Sequence, residues 1–248
     1  MNEETRPSRR DFMATAVIGA GSLALSAAAS AATSSDASKE TAVSTAPAFQ
    51  TSDKLKPLAF DPAKLNGLSG RLIRSHWENN YGGSVKALAG VKKRLVEALG
   101  DKDLPPYVYN DLKREHLLRT GSVVFHEHYF DNLGGSGKAG ASERQTIGAA
   151  FGSFDAWEAE FRKIGAGLGG GSGWVVLGFN QHTRLLENYW LADHGHGPAA
   201  TTPILVMDMY EHSYQMDFGA AAAKYIDAFF QNIQWDTVAA RLATLPKA

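Results

Sequence analysis

One stretch constrains this chain more than any other. The apolar run Pro203-Ile204-Leu205-Val206-Met207 is short, partly β-branched and opened by proline, which predicts a buried strand. It ends in Asp208, and His212 follows four residues later. A strand with that ending offers a carboxylate oxygen and an imidazole nitrogen at the lip of a sheet. Those two ligand types together suit a first-row metal ion. Glu211, beside the histidine, has the chemistry to orient an imidazole by accepting its second N–H. The plainer alternative is that Asp208 caps a helix and His212 is an ordinary half-buried residue.

Composition narrows how such a metal could be held. The 248 residues include no cysteine, so disulfides, thiolate sites, iron–sulfur clusters and cysteine nucleophiles are excluded. Only His, carboxylate, backbone and water ligands remain. The formal charge is −1, from 25 Lys+Arg against 26 Asp+Glu, and marks no nucleic-acid partner. The length allows one sizeable domain or two small ones sharing an interface.

The N-terminus reads as an address. Ser8-Arg9-Arg10-Asp11-Phe12-Met13 is a twin-arginine pattern, and a small-residue apolar run from Ala14 to Ala29 follows it. Ala29-Ser30-Ala31 then offers a cleavage site, so residues 1–31 are expected to be an export signal and the mature protein periplasmic, free of the membrane. The run is short and weakly apolar for a span; an uncleaved anchor is the alternative. Residues 32–57, rich in Ser, Thr, Ala, Asp and Lys, read as a disordered linker. Folded sequence is expected to begin near Phe60-Asp61-Pro62, a helix-start pattern.

From Leu68 to Leu99, apolar residues recur at three- and four-residue steps, which predicts a helix carrying His76, with Gly82-Gly83 marking a kink or close packing. A second helix is expected from about Asp111 to Leu133, carrying His116, His126 and His128. Residues 126 and 128 fall on different faces, so a regular helix cannot aim both at one site. Gly134-Gly135-Ser136-Gly137 closes this half. One helix is then expected over Gln145–Phe161, its aromatic stripe facing the core. The glycine-rich stretch 165–173 lacks the Gly-Lys-Ser/Thr ending of a phosphate loop. Trp174–Phe179 and Leu185–Leu191, split by five polar residues, predict a hairpin. Helices to about Phe230 and near 235–242 end the chain. The predicted class is α+β: an N-terminal helical hairpin over 58–137, then a three-stranded antiparallel sheet with surrounding helices over 138–248.

Taken together, the motifs become specific. Asp208–Phe218 resembles the D-x-W-E-H-x-Y-x-x-x-[YF] signature of the iron/manganese superoxide dismutases. Phe151-Gly152-Ser153-Phe154 and Gly171-Ser172-Gly173-Trp174 also match stretches of that family, in order, so the resemblance spans about residues 58–246. It implies one Fe or Mn per subunit, held by His76, His126, Asp208 and His212, that converts superoxide to O2 and H2O2. Iron is slightly favoured, because the family's outer-sphere residue is here a His, as in iron-using members. That residue is expected to be His194, in Asp193-His194, or His196 if the loop is shifted. The resemblance also implies a homodimer, with Glu211, Asn80 and Gln215 at its interface.

The chain departs from the family where substrate would enter. The usual channel Tyr is Ser84, the usual channel His is Asn80, the signature Trp is Tyr210 and the second signature Tyr is Gln215. Tyr81 is the residue expected to fill some of the vacated channel space. A catalytically weak periplasmic metal-binding or interaction protein of the same fold is the alternative function that these departures leave open.

Overall fold

The computed structural model describes residues 46–246; the export pattern and most of the linker reading lie outside the described residues. After a single turn at Pro62–Lys64, helix α1 (Gly70–Ser75) runs through a π-helical turn (His76–Tyr81) into α2 (Gly82–Gly100). Helix α3 (Pro106–Asp131) returns beside α2. Then come α4 (Ala141–Phe151), α5 (Phe154–Leu168) and strands β1 (Trp174–Asn180), β2 (Leu185–Leu191) and β3 (Thr201–Asp208). A turn at Glu211–Ser213, a short α6 (Gln215–Phe218), α7 (Ala222–Gln231) and α8 (Trp235–Ala243) complete the described chain. The α+β class and the three-stranded antiparallel sheet expected from the sequence are both present.

Strand order is β2-β1-β3, so β1 is central and β3 an edge. That placement explains Pro203 inside β3: an edge strand tolerates a residue with no N–H. Pro203 sits opposite Gly178, where the register slips between Leu177 and Gly178. Strand β3 is covered by α3, and the apolar core runs through both halves, from Leu72 and Ile73 through Tyr129 and Val206 to Trp157 and Phe229. Asn132, just past α3, donates to the Val206 carbonyl at 2.9 Å, and Arg241 reaches both Asn132 and the Ile204 carbonyl. The end of the helix is thereby pinned to the strand that ends in Asp208.

Local sequence accounts for several differences from the expected boundaries. The reading of one helix over 145–161 is corrected to two: Gly152 adopts φ 82°, and Ser153 caps the second helix by accepting from the Ala156 N–H at 2.9 Å. The Asp61-Pro62 start makes only a single turn, and the helix proper begins where Ser69 caps the Leu72 N–H. Helix α3 starts earlier than expected, at Pro106, whose fixed φ suits a first helical turn. Around Gly82 the departure from α-geometry precedes the glycine; a Cβ on Gly82 would lie 3.0 Å from Leu55, so the close-packing reading holds there. Part of the linker reading also differs. Leu55 packs on the core, the Lys56 N–H donates to the Tyr81 hydroxyl at 2.9 Å, and Trp77 Nε1–H donates to the Lys56 carbonyl at 2.9 Å.

Candidate metal centre

Four elements deliver four side chains to one point. His76 opens the π-helical turn, His126 lies on the inner face of α3, Asp208 ends β3, and His212 sits in the following turn. The turn folds back because the Ser213 hydroxyl donates to the Asp208 carbonyl at 2.9 Å; Tyr225 of α7 donates to the same carbonyl at 2.6 Å. Asp208 Oδ1 accepts the Tyr210 N–H at 2.8 Å, which leaves Oδ2 facing inward.

Oδ2 is the hub. His76 Nε2 lies 3.1 Å from it, His212 Nε2 3.3 Å and His126 Nε2 3.7 Å. All four ligand atoms lie within 4.8 Å of one another. Two ligand atoms about 2.1 Å from a common ion lie roughly 3.0 Å apart at 90° and 3.6 Å apart at 120°. The His76 and His212 spacings to Oδ2 fall in that range, and the His126 spacing of 3.7 Å lies just beyond it.

Burial makes the argument sharper. His76, His126 and Asp208 are essentially inaccessible to solvent. Yet His76 Nε2, for all its closeness to Oδ2, is misaligned for a hydrogen bond and, like His126 Nε2, has no partner. Buried polar atoms without partners are rare and costly. Nitrogen lone pairs that converge on a carboxylate oxygen fit a cation between them.

The electrostatics agree. Burial pushes the His126 imidazole down to about 3, with His76 adding to the effect. Burial also lowers His76, against the opposing pull of Asp208. For Asp208, burial pushes the carboxyl up, but the close approach of His212 and His76 outweighs it and holds it below the usual carboxylate range. At neutral pH the donor set is therefore one carboxylate and two neutral buried imidazoles, with His212 at the more open edge. Hard oxygen with imidazole nitrogen suits iron or manganese.

Around these four, the structure separates the remaining sequence-derived residues. His194 lies beside the site, its ring 5.9 Å from that of His126 and stacked on Tyr210 at 4.7 Å. His196 is an exposed residue paired with Asp193 at 2.7 Å. Tyr81 is buried, but its hydroxyl donates to Glu127 at 2.8 Å and accepts from Lys56, so it is committed away from Asp208. Ser84 is buried, with its hydroxyl 2.7 Å from that of Ser122. Asn80 is half-buried in the π-helical turn, while Glu211 and Gln215 are exposed. His128 turns from the site to the Val124 carbonyl.

Sequence reading assigned no role to three residues that shape the centre. Trp174, paired with Asp208 across the sheet, donates Nε1–H to His194 Nδ1 at 3.0 Å. Ser122 lies one turn before His126, and its carbonyl accepts from Nδ1 of that residue at 2.7 Å. Gly121 lies under the backbone of His194, where any Cβ would overlap the carbonyl oxygen. A glycine inside a helix was the available signal for the last of these.

Comparison with known proteins places this arrangement. Residues 139–241 match the family model described as iron/manganese superoxide dismutases, C-terminal domain. A superoxide dismutase (Fe) of Cupriavidus metallidurans is 50% identical over 77% of this chain and 96% of its own length. A superoxide dismutase (Fe) of Aquifex aeolicus is 33% identical over 81% of this chain and 93% of its own. A superoxide dismutase (Mn) of Halobacterium salinarum is 31% identical over 70% of this chain and 86% of its own. With 50% identity across nearly the whole length of one such relative, and with three histidines converging on one buried aspartate, the chain belongs to the iron/manganese superoxide dismutase family.

Proposed function

We propose that this chain is a superoxide dismutase whose single iron or manganese is held by His76, His126, Asp208 and His212. The observation that carries the reading is the buried, unpartnered pair His76 Nε2 and His126 Nε2 converging with His212 on Asp208 Oδ2. Held by these four residues, the metal would supply the one-electron chemistry by which one superoxide is oxidised to O2 and a second, with two protons, is reduced to H2O2. The protein's part is to place the potential between these half-reactions and to supply protons. Asp208 contributes one negative charge to the donor set. His194 holds its proton on Nε2, because Nδ1 accepts from an indole that can only donate. Iron is the favoured metal, since the relative with half its residues identical carries iron in its name. Metal content measured beside superoxide consumption tests the reading: one iron or manganese per chain with fast consumption supports it, and stoichiometric metal without consumption defeats it.

The proposal extends to assembly and location. His212 presents Nε2 to Asp208, so its Nδ1–H is directed away and suits the carboxylate of the partner's Glu211 in a two-fold dimer. Asn80 and Gln215, both amides, have the hydrogen-bonding chemistry to bridge the same interface. In a double-mutant cycle, Asn80→Ala and Gln215→Ala should weaken the dimer non-additively; strictly additive losses contradict a direct bridge. Export to the periplasm rests on Ser8–Met13, and no described helix is long and apolar enough to cross a membrane. Normal export of an Arg9→Lys, Arg10→Lys double variant would overturn it.

A further inference from the structure

On the metal-centre reading above, we propose that Ser84 and Ser122 are a positioning pair for His126, tuning the ligand from behind through two hydroxyls contributed by different helices. Ser84 lies on α2 and Ser122 on α3, both buried, with their hydroxyl oxygens 2.7 Å apart. Ser122 Oγ lies 3.2 Å from His126 Nδ1, and the Ser122 carbonyl lies 2.7 Å from the same nitrogen.

The imidazole hydrogen in this cluster can be assigned by elimination. A backbone carbonyl only accepts, so His126 Nδ1 carries the hydrogen and Nε2 keeps its lone pair for the centre. With that N–H already a donor, Ser122 Oγ can offer the imidazole only a lone pair. The hydroxyl hydrogen of Ser122 must go elsewhere; either hydroxyl of the pair can donate to the other, and in the proposed arrangement the Ser122 hydrogen goes to the Ser84 oxygen at 2.7 Å. The proposed sequence of donors then runs one way: His126 N–H to Ser122, then Ser122 O–H to Ser84.

Two consequences follow for His126. The N–H is held by two oxygens of one residue, which fixes the ring about its axis. The Ser122 lone pair also makes the imidazole a stronger electron donor at Nε2, as acceptors behind a ligating histidine do. Ser84 acts one step further back. Without its oxygen, the Ser122 hydroxyl is free to turn toward a carbonyl of its own helix, the usual habit of a mid-helix serine, and its lone pair leaves the imidazole. Ser84 occupies the position where the family resemblance puts a channel tyrosine, so a hydroxyl here serves the ligand from the rear.

The test uses the holoprotein with Ser84→Ala, Ser122→Ala and the double variant. Metal release to a chelator and the midpoint potential of the bound metal are read for each. Ser84→Ala and Ser122→Ala should each release metal about ten-fold faster and move the potential upward, because a weaker donor favours the reduced metal. The double variant should be no worse than Ser122→Ala alone. Wild-type release and potential in Ser84→Ala, or additive shifts in the double variant, would overturn the inference. Ser84→Cys keeps the volume with a weaker acceptor and should shift both readouts in the same direction by less, which covers the case where alanine does not fold. A wild-type protein that takes up neither iron nor manganese would defeat the metal-centre reading itself, a failure visible before any variant is made.

Discussion

The indole N–H of Trp174 donates to His194 Nδ1 across 3.0 Å, and this bond decides which nitrogen of His194 carries its proton. Trp174 is fully buried at the start of β1, so the bond is anchored in the centre of the sheet. Stacking on Tyr210, at 12° between ring planes, holds the imidazole from its face.

Trp174→Phe should release that tautomer. The substitution also leaves a cavity, with a stability loss of about 2 kcal/mol. Nitrogen NMR of the metal-free protein should show a single Nε2–H form of His194 in the wild type and a mixture in the variant, with superoxide consumption down about ten-fold. An unchanged tautomer would mean that Trp174 only packs.

Gly121→Ala should be damaging although the position is helical. Alanine in a helix interior ordinarily gains about 0.5–1 kcal/mol over glycine. Here the new Cβ would meet the His194 carbonyl, so the loop carrying His194 must lift. Melting and activity together check this: the expected result is no gain in stability and roughly ten-fold lower activity. A more stable, fully active variant would show that the loop yields freely.

Acid should destabilise the metal-free protein well before ordinary carboxylates titrate. An unfolded histidine takes its proton near pH 6.5, whereas burial holds folded His126 neutral down to about 3 and lowers His76 and His194 as well. Between those values the unfolded chain binds more protons, so stability falls as pH falls, by about 1.4 kcal/mol per pH unit for each excluded proton. The depressed Asp208 works in the same direction at lower pH, its contribution being present above the ordinary carboxylate range and lost as pH drops through its folded value. Denaturant unfolding at pH 7, 6 and 5 measures the slope, and a flat profile would contradict it.

Much of this architecture could be read from local sequence because local chemistry dictates it. A β-branched run gives β3, Asp208 and His212 are four residues apart, and three- and four-residue spacing gives the long helices. The break between α4 and α5 was written in Gly152-Ser153, but the aromatic stripe carried the helical reading across it. The π-helical turn at His76–Tyr81 and the fastening of Lys56 to Trp77 and Tyr81 depend on contacts distant in sequence, which no local pattern reports. The same holds for the two loop histidines. Asp193-His194-Gly195-His196 looks symmetrical as a string, and only the position of Trp174 distinguishes His194 from the exposed His196.

The central claim is that four side chains converge on one metal, and metal content per chain tests it most directly. Iron and manganese are to be quantified in the purified wild type and in the His76→Ala, His126→Ala, Asp208→Ala, His212→Ala and His128→Ala variants, each checked for folding. The account predicts close to one metal in the wild type and in His128→Ala, whose imidazole turns away to the Val124 carbonyl. It predicts almost none in the other four, because each removes one of only four protein ligands. Full occupancy in the folded Asp208→Ala or His126→Ala protein would contradict it.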